Sequence, residues 1–454
     1  MQNLDQDVQN RDQFGSKWGF ILAAAGSAVG LGNLWRFPKE VGSNGGGAFV
    51  LLYLFFIIIL GSSMVLAEFI IGRRGKGSAV ECYSKVNQKF KWVGYLGMIA
   101  VIVLLAFYAI IGGWTIAYSF KAVTGGLSNL TPDELGGIFG GLVSNPTQLL
   151  INQVLFLVAT AFIVAKGIAG GIEKYCKVLM PMLFVLLVIM AIRSITLPGA
   201  MAGVIWYLKP DFSAINSSVI VGALGQAFFS LSLGTGGMVT YASYLNSKEN
   251  LGSTAISVTI ADTTVALLAG FIIIPAVFAF NLEVGAGPGL VFITLPQVFA
   301  SMPMGNVFAV LFFFLLFVAA LTSSIGMLEV GVAFMEERMS MSRQKITWLA
   351  TGIVFILGIP PLLSFGPWSH ITLGGRNFLD MYDYFVSNLS IPLVGLLTAI
   401  LLGYVWKKED VMDEATSGGT FQASLYGTWY NLIKYVVPVI LVVVYLQALG
   451  IIKL

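Results

Sequence analysis

Apolar runs of about 20 residues, the length a helix needs to cross a hydrocarbon layer, recur along this whole sequence with short polar joins between them. Blocks such as VLLYLFFIIILGSSMVLAEFIIG lack the apolar/polar alternation of membrane-barrel strands, so they read as helix throughout. Only 10% of the 454 residues are charged and 57% are hydrophobic, whereas about a quarter of a soluble protein's residues carry charge. The sequence therefore predicts an all-α membrane protein with about eleven transmembrane helices, over residues 17–44, 47–72, 92–123, 148–167, 176–196, 214–245, 253–283, 304–338, 345–365, 377–406 and 426–450.

Lysine and arginine gather in alternate joins, GRRGKGSAVECYSKVNQKFK, AKGIAGGIEKYCK, NSKENLG, EERMSMSRQK and WKKEDVMDE, and are sparse in TGGLSNLTPDELGGIFGGLVSNPTQ and NLEVGAGPGLVFITLPQ. The positive-inside rule then puts the N-terminus in the cytoplasm and, after an odd number of spans, the C-terminus outside. The polar start MQNLDQDVQNRDQFGSK has no basic region ahead of a short apolar core, so no cleavable signal is expected. Cys82 and Cys176 match no metal or redox spacing and the lone His370 lies in a loop-like PWSHITLGG, which disfavours zinc and haem chemistry. No phosphate loop and no nucleophile with a histidine partner points to an enzyme, and a net charge of +3 makes no case for nucleic acid.

Two spans are unusual. The first is interrupted by AGSAVGLGN and the sixth by FFSLSLGTGGM, at the same relative place five spans apart. Five is odd, so successive five-helix units enter the membrane from opposite sides. This gives inverted repeats over 17–196 and 214–406, with a cytoplasmic segment 1–16, an outer connection 197–213, a cytoplasmic loop 407–425 and an eleventh helix with an outer terminus over 426–454. A glycine in one membrane helix usually means close packing. Paired interruptions in such repeats point instead to the binding site of a secondary transporter, because unwound backbone survives in hydrocarbon only where it lines a polar cavity. Freed carbonyls suit a dehydrated cation, and half-helix N-termini suit an anion.

The motifs AGSAVGLGNLWRFP, NGGGAF, GQAFFSLSLGTGG, TYASY and AALTSSIG, in this order, resemble those of the neurotransmitter:sodium symporter family, and among them the short bacterial carriers of hydrophobic and aromatic amino acids. The resemblance implies two sodium ions. The first would be held by Ala28, Asn33, Ser230 and Asp262, the second by the carbonyls of Gly26, Val29 and Ala319 with the hydroxyls of Thr322 and Ser323. All are oxygen ligands, as a hard cation requires. Taken alone, Thr322 and Ser323 read equally well as hydroxyls bonded back to their own helix.

Asp262 departs from the family pattern, which has Asn there; chloride-independent relatives carry an acid one turn later, where this chain has Ala266. A carboxylate inside the apolar TIADTTVALLAGF is a functional-site signal by itself. It supplies a fixed negative charge, so chloride is not expected to be required, and it is also a candidate proton carrier. For the substrate, the resemblance implies that Leu31, Gly32 and Tyr108 meet a carboxylate and that Ala28, Phe229, Ser230 and Ser232 meet an ammonium. Leu104, Tyr108, Phe229, Thr235, Ser323, Gly326 and Met327 would surround the side chain. Amine carriers have an aspartate where this chain has Gly30, so glycine argues for amino acids. Thr235 stands where the leucine carrier has Phe and, with Gly326 and the flexible Met327, implies room for branched-chain and aromatic substrates including leucine, tyrosine and tryptophan.

The same resemblance implies an outer gate of Arg36 and Asp383 with Tyr108 and Phe229, and an inner gate of Arg11, Glu337 and Tyr244, with Phe14 in place of the usual tryptophan. Glu68 would support the unwound sixth span, and Gly171 with Pro181 would loosen the fifth. The expected protein is thus a multi-pass sodium-coupled importer of hydrophobic amino acids in a bacterial cytoplasmic membrane. The alternatives are a substrate-gated channel or sensor on the same fold, and a narrow proton-coupled carrier. Nothing in the sequence sets the oligomeric state.

Overall fold

The computed structural model describes residues 12–128, 130–282, 289–421 and 423–452. It opens with α1 (Lys17–Ala28) and α2 (Gly32–Ser43), two halves of one span bent by 54°. Ser16 starts α1 by accepting the Gly19 amide, which satisfies one of the donors that a helix N-terminus leaves unpaired. Beyond the break the chain rewinds as a π turn over Gly32–Arg36, the kind of irregular turn that concentrates at functional sites.

The chain continues through α3 (Gly47–Gly75), α4 (Ala79–Val86), α5 (Gln88–Val123), α6 (Pro132–Val143), α7 (Pro146–Val164), α8 (Ile168–Ile195) and α9 (Ala200–Leu208). The broken sixth span is α10 (Ser217–Ser230) and α11 (Gly237–Ala242). Then come α12 (Leu251–Ala279), α13 (Leu290–Ala300), α14 (Gly305–Glu336), α15 (Arg343–Leu363), α16 (Phe378–Val405), α17 (Lys408–Thr416) and α18 (Tyr426–Ala448).

Among the described residues nine uninterrupted helices, α3, α5, α7, α8, α12, α14, α15, α16 and α18, are long and apolar enough to cross a membrane. With the bent α1/α2 pair they make up to ten spans among the described residues, against the eleven that the sequence leads one to expect; the difference lies at the sixth, where the break leaves α10 a shorter apolar helix and α11 only six residues. The short helices α4, α6, α9, α13 and α17 lie in the joins. Their patterns are too short to stand out from connecting chain by periodicity alone.

The two breaks stand five spans apart, in the first and the sixth, and α18 packs on α16. Inside the bundle α14 runs along α5 and α1, α12 packs on α8 and α9, and α3 braces α11. Large apolar side chains on the rim, among them Phe55, Ile58, Val185, Ile192, Ile356 and Val439, are exposed, as suits helices whose outer solvent is lipid. The polar residues that matter are inside. Asn33, Glu68, Asp262 and Glu329 are each 0% exposed, and all sit on spans that touch the two breaks.

Candidate functional site

The breaks in the first and sixth spans meet across a small cavity of about 40 Å³ lined by Ala28, Gly30, Leu31, Gly32, Leu104, Tyr108, Phe229, Ser230, Ser232, Thr235, Ser323, Met327 and Ile391. The sixth span turns here because Ser232, Gly234 and Gly236 all take positive φ, at 52°, 76° and 74°, which ends α10 and starts α11 afresh. Glu68 stabilises this turn: its carboxylate accepts the Gly234 amide at 2.7 Å. The Tyr108 hydroxyl crosses the cavity to accept from the Leu31 amide at 3.3 Å. Gly30 is dictated by space, since a Cβ there would lie 2.5 Å from Ser323 Oγ and 2.8 Å from Tyr108 Oη.

Beside the cavity, polar groups from three spans converge. Asn33 Nδ2 donates to Asp262 Oδ1 at 2.8 Å and to Ser230 Oγ at 3.1 Å, while Ser230 Oγ donates to Asp262 Oδ2 at 2.6 Å. Tyr53 reaches the cluster from α3, its hydroxyl donating to Ser230 Oγ at 3.3 Å. The partners of this buried carboxylate are a neutral amide and a neutral hydroxyl. A charge in such a place is costly without a counter-charge, so the cluster fits a small hard cation, whose ligands are oxygens.

A second oxygen-rich point lies where α14 crosses the first break. Ser323 Oγ donates to the carbonyls of Ser27 and Val29 at 3.0 and 3.1 Å, and Thr322 Oγ1 to those of Val318 and Ala319, both at 3.1 Å. Gly26 packs against Thr322 and Met180. The structure thus brings together Gly26, Val29, Ala319, Thr322 and Ser323, with the hydroxyls turned onto backbone carbonyls. Gly326 stands apart from the cavity wall: its Cα faces Ser27, whose Oγ would lie 2.1 Å from an added Cβ.

Above the cavity, on the face opposite the N-terminus, a vestibule of about 280 Å³ is lined by Arg36, Phe228, Phe229, Ser387, Ile391 and Gln447, among others. Phe229 and Ile391 line both spaces and are the partition between them. Arg36 lies over the Phe229 ring, 4.1 Å from its centroid, within cation–π range. Asp383 accepts from Ser387 Oγ at 2.7 Å, and no ion pair closes between it and Arg36 among the described residues.

On the N-terminal face polar side chains link several helices. Tyr244 donates to Glu329 Oε1 at 2.7 Å, Glu329 pairs with Arg343, and Arg343 also reaches Glu336 at 3.0 Å. Glu337 accepts from the amide and hydroxyl of Ser78 at the start of α4. Arg11 lies outside the described residues, and Phe14 packs edge-on against Phe20, Tyr241 and Tyr244. Gly171 falls in a π turn over Ile168–Glu173 and Pro181 lies ten positions further, within the same span. Glu173, at the end of that turn, accepts from Gly15 N at 2.6 Å and Ser16 Oγ at 2.8 Å, so the starts of the first and fifth spans are tied together.

Sequence reasoning missed Tyr53, Ile391, Glu329 and Arg343. Tyr53 and Ile391 sit in apolar runs that give no signal, but Glu329 is an acid inside GMLEVGVAF and the rule that singles out Asp262 applies to it equally.

Comparison with known proteins identifies the family and the fold. Residues 11–132 and 140–453 match the profile of the Sodium:neurotransmitter symporter family. An uncharacterized sodium-dependent transporter of Bacillus subtilis, YhdH, is 40% identical over 443 residues, covering 97% of this chain and 98% of its own. One from Haemophilus influenzae is 39% identical over 454 residues, covering 97% and 99%. The crystal structure of MhsT in complex with L-phenylalanine superposes with a TM-score of 0.89 at 42% identity, over 97% of this chain and all of that one. A helical membrane bundle with broken first and sixth spans, matched over nearly its whole length to sodium-dependent transporters, places this chain in the sodium:neurotransmitter symporter family, a family of secondary transporters.

Proposed function

We propose that the protein imports hydrophobic amino acids, branched-chain and aromatic, coupled to two sodium ions and without a need for chloride. The observation that carries this reading is the fully buried Asp262 carboxylate, held by Asn33 and Ser230 on a wall that Ser230 shares with the cavity. A sodium ion bound there by Ala28, Asn33, Ser230 and Asp262 would lie beside the carboxylate of an amino acid whose other contacts are Leu31, Gly32 and Tyr108. The second ion would use Gly26, Val29, Ala319, Thr322 and Ser323. Both sets consist of oxygens.

Substrate class follows from the lining. Leu104, Tyr108, Phe229, Met327 and Ile391 are apolar or aromatic, and the cavity's small size means that a bulky side chain enters only as Phe229 and the flexible Met327 turn aside. Weak discrimination is expected, since one methylene in an apolar pocket is worth only about 1–3 kcal/mol. The solved complex of MhsT with L-phenylalanine supports an aromatic substrate. In this reading the N-terminus is cytoplasmic, the membrane is the bacterial inner one, and the vestibule opens outward, so Phe229, Tyr108, Arg36 and Asp383 guard the entrance. Tyr244, Glu337 and Arg11 guard the exit, and loosening of the Gly171–Pro181 segment opens it.

The test is uptake of labelled tryptophan and leucine into liposomes under an inward sodium gradient, with chloride and proton gradients varied independently. Sodium-driven, chloride-independent accumulation of both supports the proposal. Accumulation driven by protons alone would make Asp262 a proton carrier, and binding without accumulation would favour a sensor or channel.

A further inference from the structure

Arg73, near the end of α3, is buried, its side chain 2% exposed, and no part of the binding site touches it. A guanidinium is placed so deep only when its donors are satisfied, and here every nitrogen has an acceptor. Nε donates to Glu414 Oε1 at 2.6 Å, Nη2 to the Glu414 carbonyl, and Nη1 to the Glu249 carbonyl at 2.7 Å and Ser417 Oγ at 3.0 Å, with the Ser247 carbonyl at 3.4 Å. Ser417 in turn donates to the Glu249 carbonyl at 3.3 Å. One side chain thereby fastens the end of the second span to two other joins, the one after α11 and the one between α16 and α18.

The first of these joins bears on the gate. The α11 helix is a rod of six residues, hinged at its site end by the positive-φ Gly234 and Gly236 and followed at its other end by Tyr244, whose hydroxyl holds Glu329. Lys76 adds a contact to the Leu245 carbonyl at 3.5 Å. A rod so short does not fix its own direction; its two ends do. At the hinge end Glu68 holds the Gly234 amide and α3 packs along the rod, so the clasp fixes the remaining end, beside Tyr244.

We propose that Arg73 is a positioning residue of transport: by gripping residues 247–249 against Glu414 it holds Tyr244 in place and sets the balance between the closed and open states of the cytoplasmic passage. The proposal rests on the alternating-access reading above. The bidentate, multi-acceptor fork is a property of arginine that lysine does not share, which gives the test its grading.

In the full-length protein with Cys82 and Cys176 replaced by alanine, the buried Thr240 of α11 is changed to cysteine, and its labelling by an impermeant maleimide is followed from the cytoplasmic face. Arg73→Gln should raise the labelling rate about five- to tenfold, the range of an ordinary conformational coupling, with Arg73→Lys between it and the parent and the exposed Glu409→Gln without effect. In liposomes, Arg73→Gln should raise the apparent KM for sodium and substrate more than it lowers the maximal rate, as expected when the outward-facing population shrinks. Should Arg73→Gln not survive purification, Glu414→Gln, which leaves the guanidinium its carbonyl partners, must show the same changes at smaller amplitude. Unchanged labelling and KM in monodisperse Arg73→Gln protein would overturn the proposal. A parent that shows no sodium-driven uptake, while labelling still responds to Arg73→Gln, would overturn the symport reading and leave the clasp standing.

Discussion

Asn33 on the first span donates to the carboxylate of Asp262 on the seventh at 2.8 Å, and the two are 229 residues apart in the chain. Such a bond joins a half-helix to a continuous span at the proposed sodium site. It also makes the charge on Asp262 testable. In Asp262→Asn the cluster keeps its size but exchanges one of the carboxylate oxygens for an amide nitrogen and loses its only formal charge. Since removing one member of a buried charge pair costs about 2–5 kcal/mol, the apparent sodium affinity should fall by at least about tenfold. Uptake by the parent should be indifferent to replacement of chloride by gluconate, and the residual uptake of the variant should be enhanced by chloride. Equal chloride dependence in both proteins would remove Asp262 from that role.

Gly30 has no space for a side chain, with Ser323 Oγ and Tyr108 Oη 2.5 and 2.8 Å from where a Cβ would be. Gly30→Ala should therefore displace one or both hydroxyls, and with them the pairing of Tyr108 to the Leu31 amide. Substrate binding should weaken by roughly tenfold or more, while thermal stability changes little, because small-to-large strain of about 1–3 kcal/mol can be relieved into the adjoining cavity. Equilibrium binding of labelled leucine together with a thermal melt separates the two effects.

The sequence announces the two breaks because glycine and small polar residues interrupt apolar runs, a signal strong enough to survive without structure. It announces Asp262 and Glu68 because acids in hydrocarbon are rare. Less legible is how side chains point. The family resemblance makes Gly326 pocket wall beside Ser323 and Met327, yet α14 turns it toward Ser27. The family resemblance pairs Arg36 with Asp383, and here Arg36 rests on Phe229 instead. An ion pair at the mouth of a vestibule contributes about 0–1 kcal/mol, too little to fix two long side chains in one arrangement. Tyr53 and Ile391 were hidden for a different reason: among so many buried apolar residues, nothing local marks the two that border the site.

The Tyr244–Glu329–Arg343 network gives a stability prediction with a definite order. Glu329 is fully buried and Arg343 mostly so, so Glu329→Ala leaves a buried guanidinium with its principal counter-charge gone and should destabilise by about 3–5 kcal/mol. Replacing both partners, Glu329→Leu with Arg343→Met, should cost less than the single change. Tyr244→Phe removes one hydrogen bond to the charged Glu329 carboxylate and should cost about 1.5–3 kcal/mol. Chemical denaturation in detergent, read by tryptophan fluorescence, ranks the three.

Glu68 closes the sixth-span turn with one oxygen only. Oε1 accepts from the Gly234 amide at 2.7 Å, while Oε2 is buried without a partner among the described residues. What the turn requires is therefore an acceptor at Oε1, and a negative charge is not needed for that bond. Glu68→Gln keeps the acceptor and should retain sodium-driven uptake within about threefold, whereas Glu68→Leu leaves the Gly234 amide unsatisfied at a cost of about 1–3 kcal/mol. Because that amide sits between Ser232 and Thr235 on the cavity wall, the leucine variant should lose substrate affinity as well as stability. If glutamine proves as damaging as leucine, the charge itself is in use and Glu68 takes part in the cycle as an ionised group.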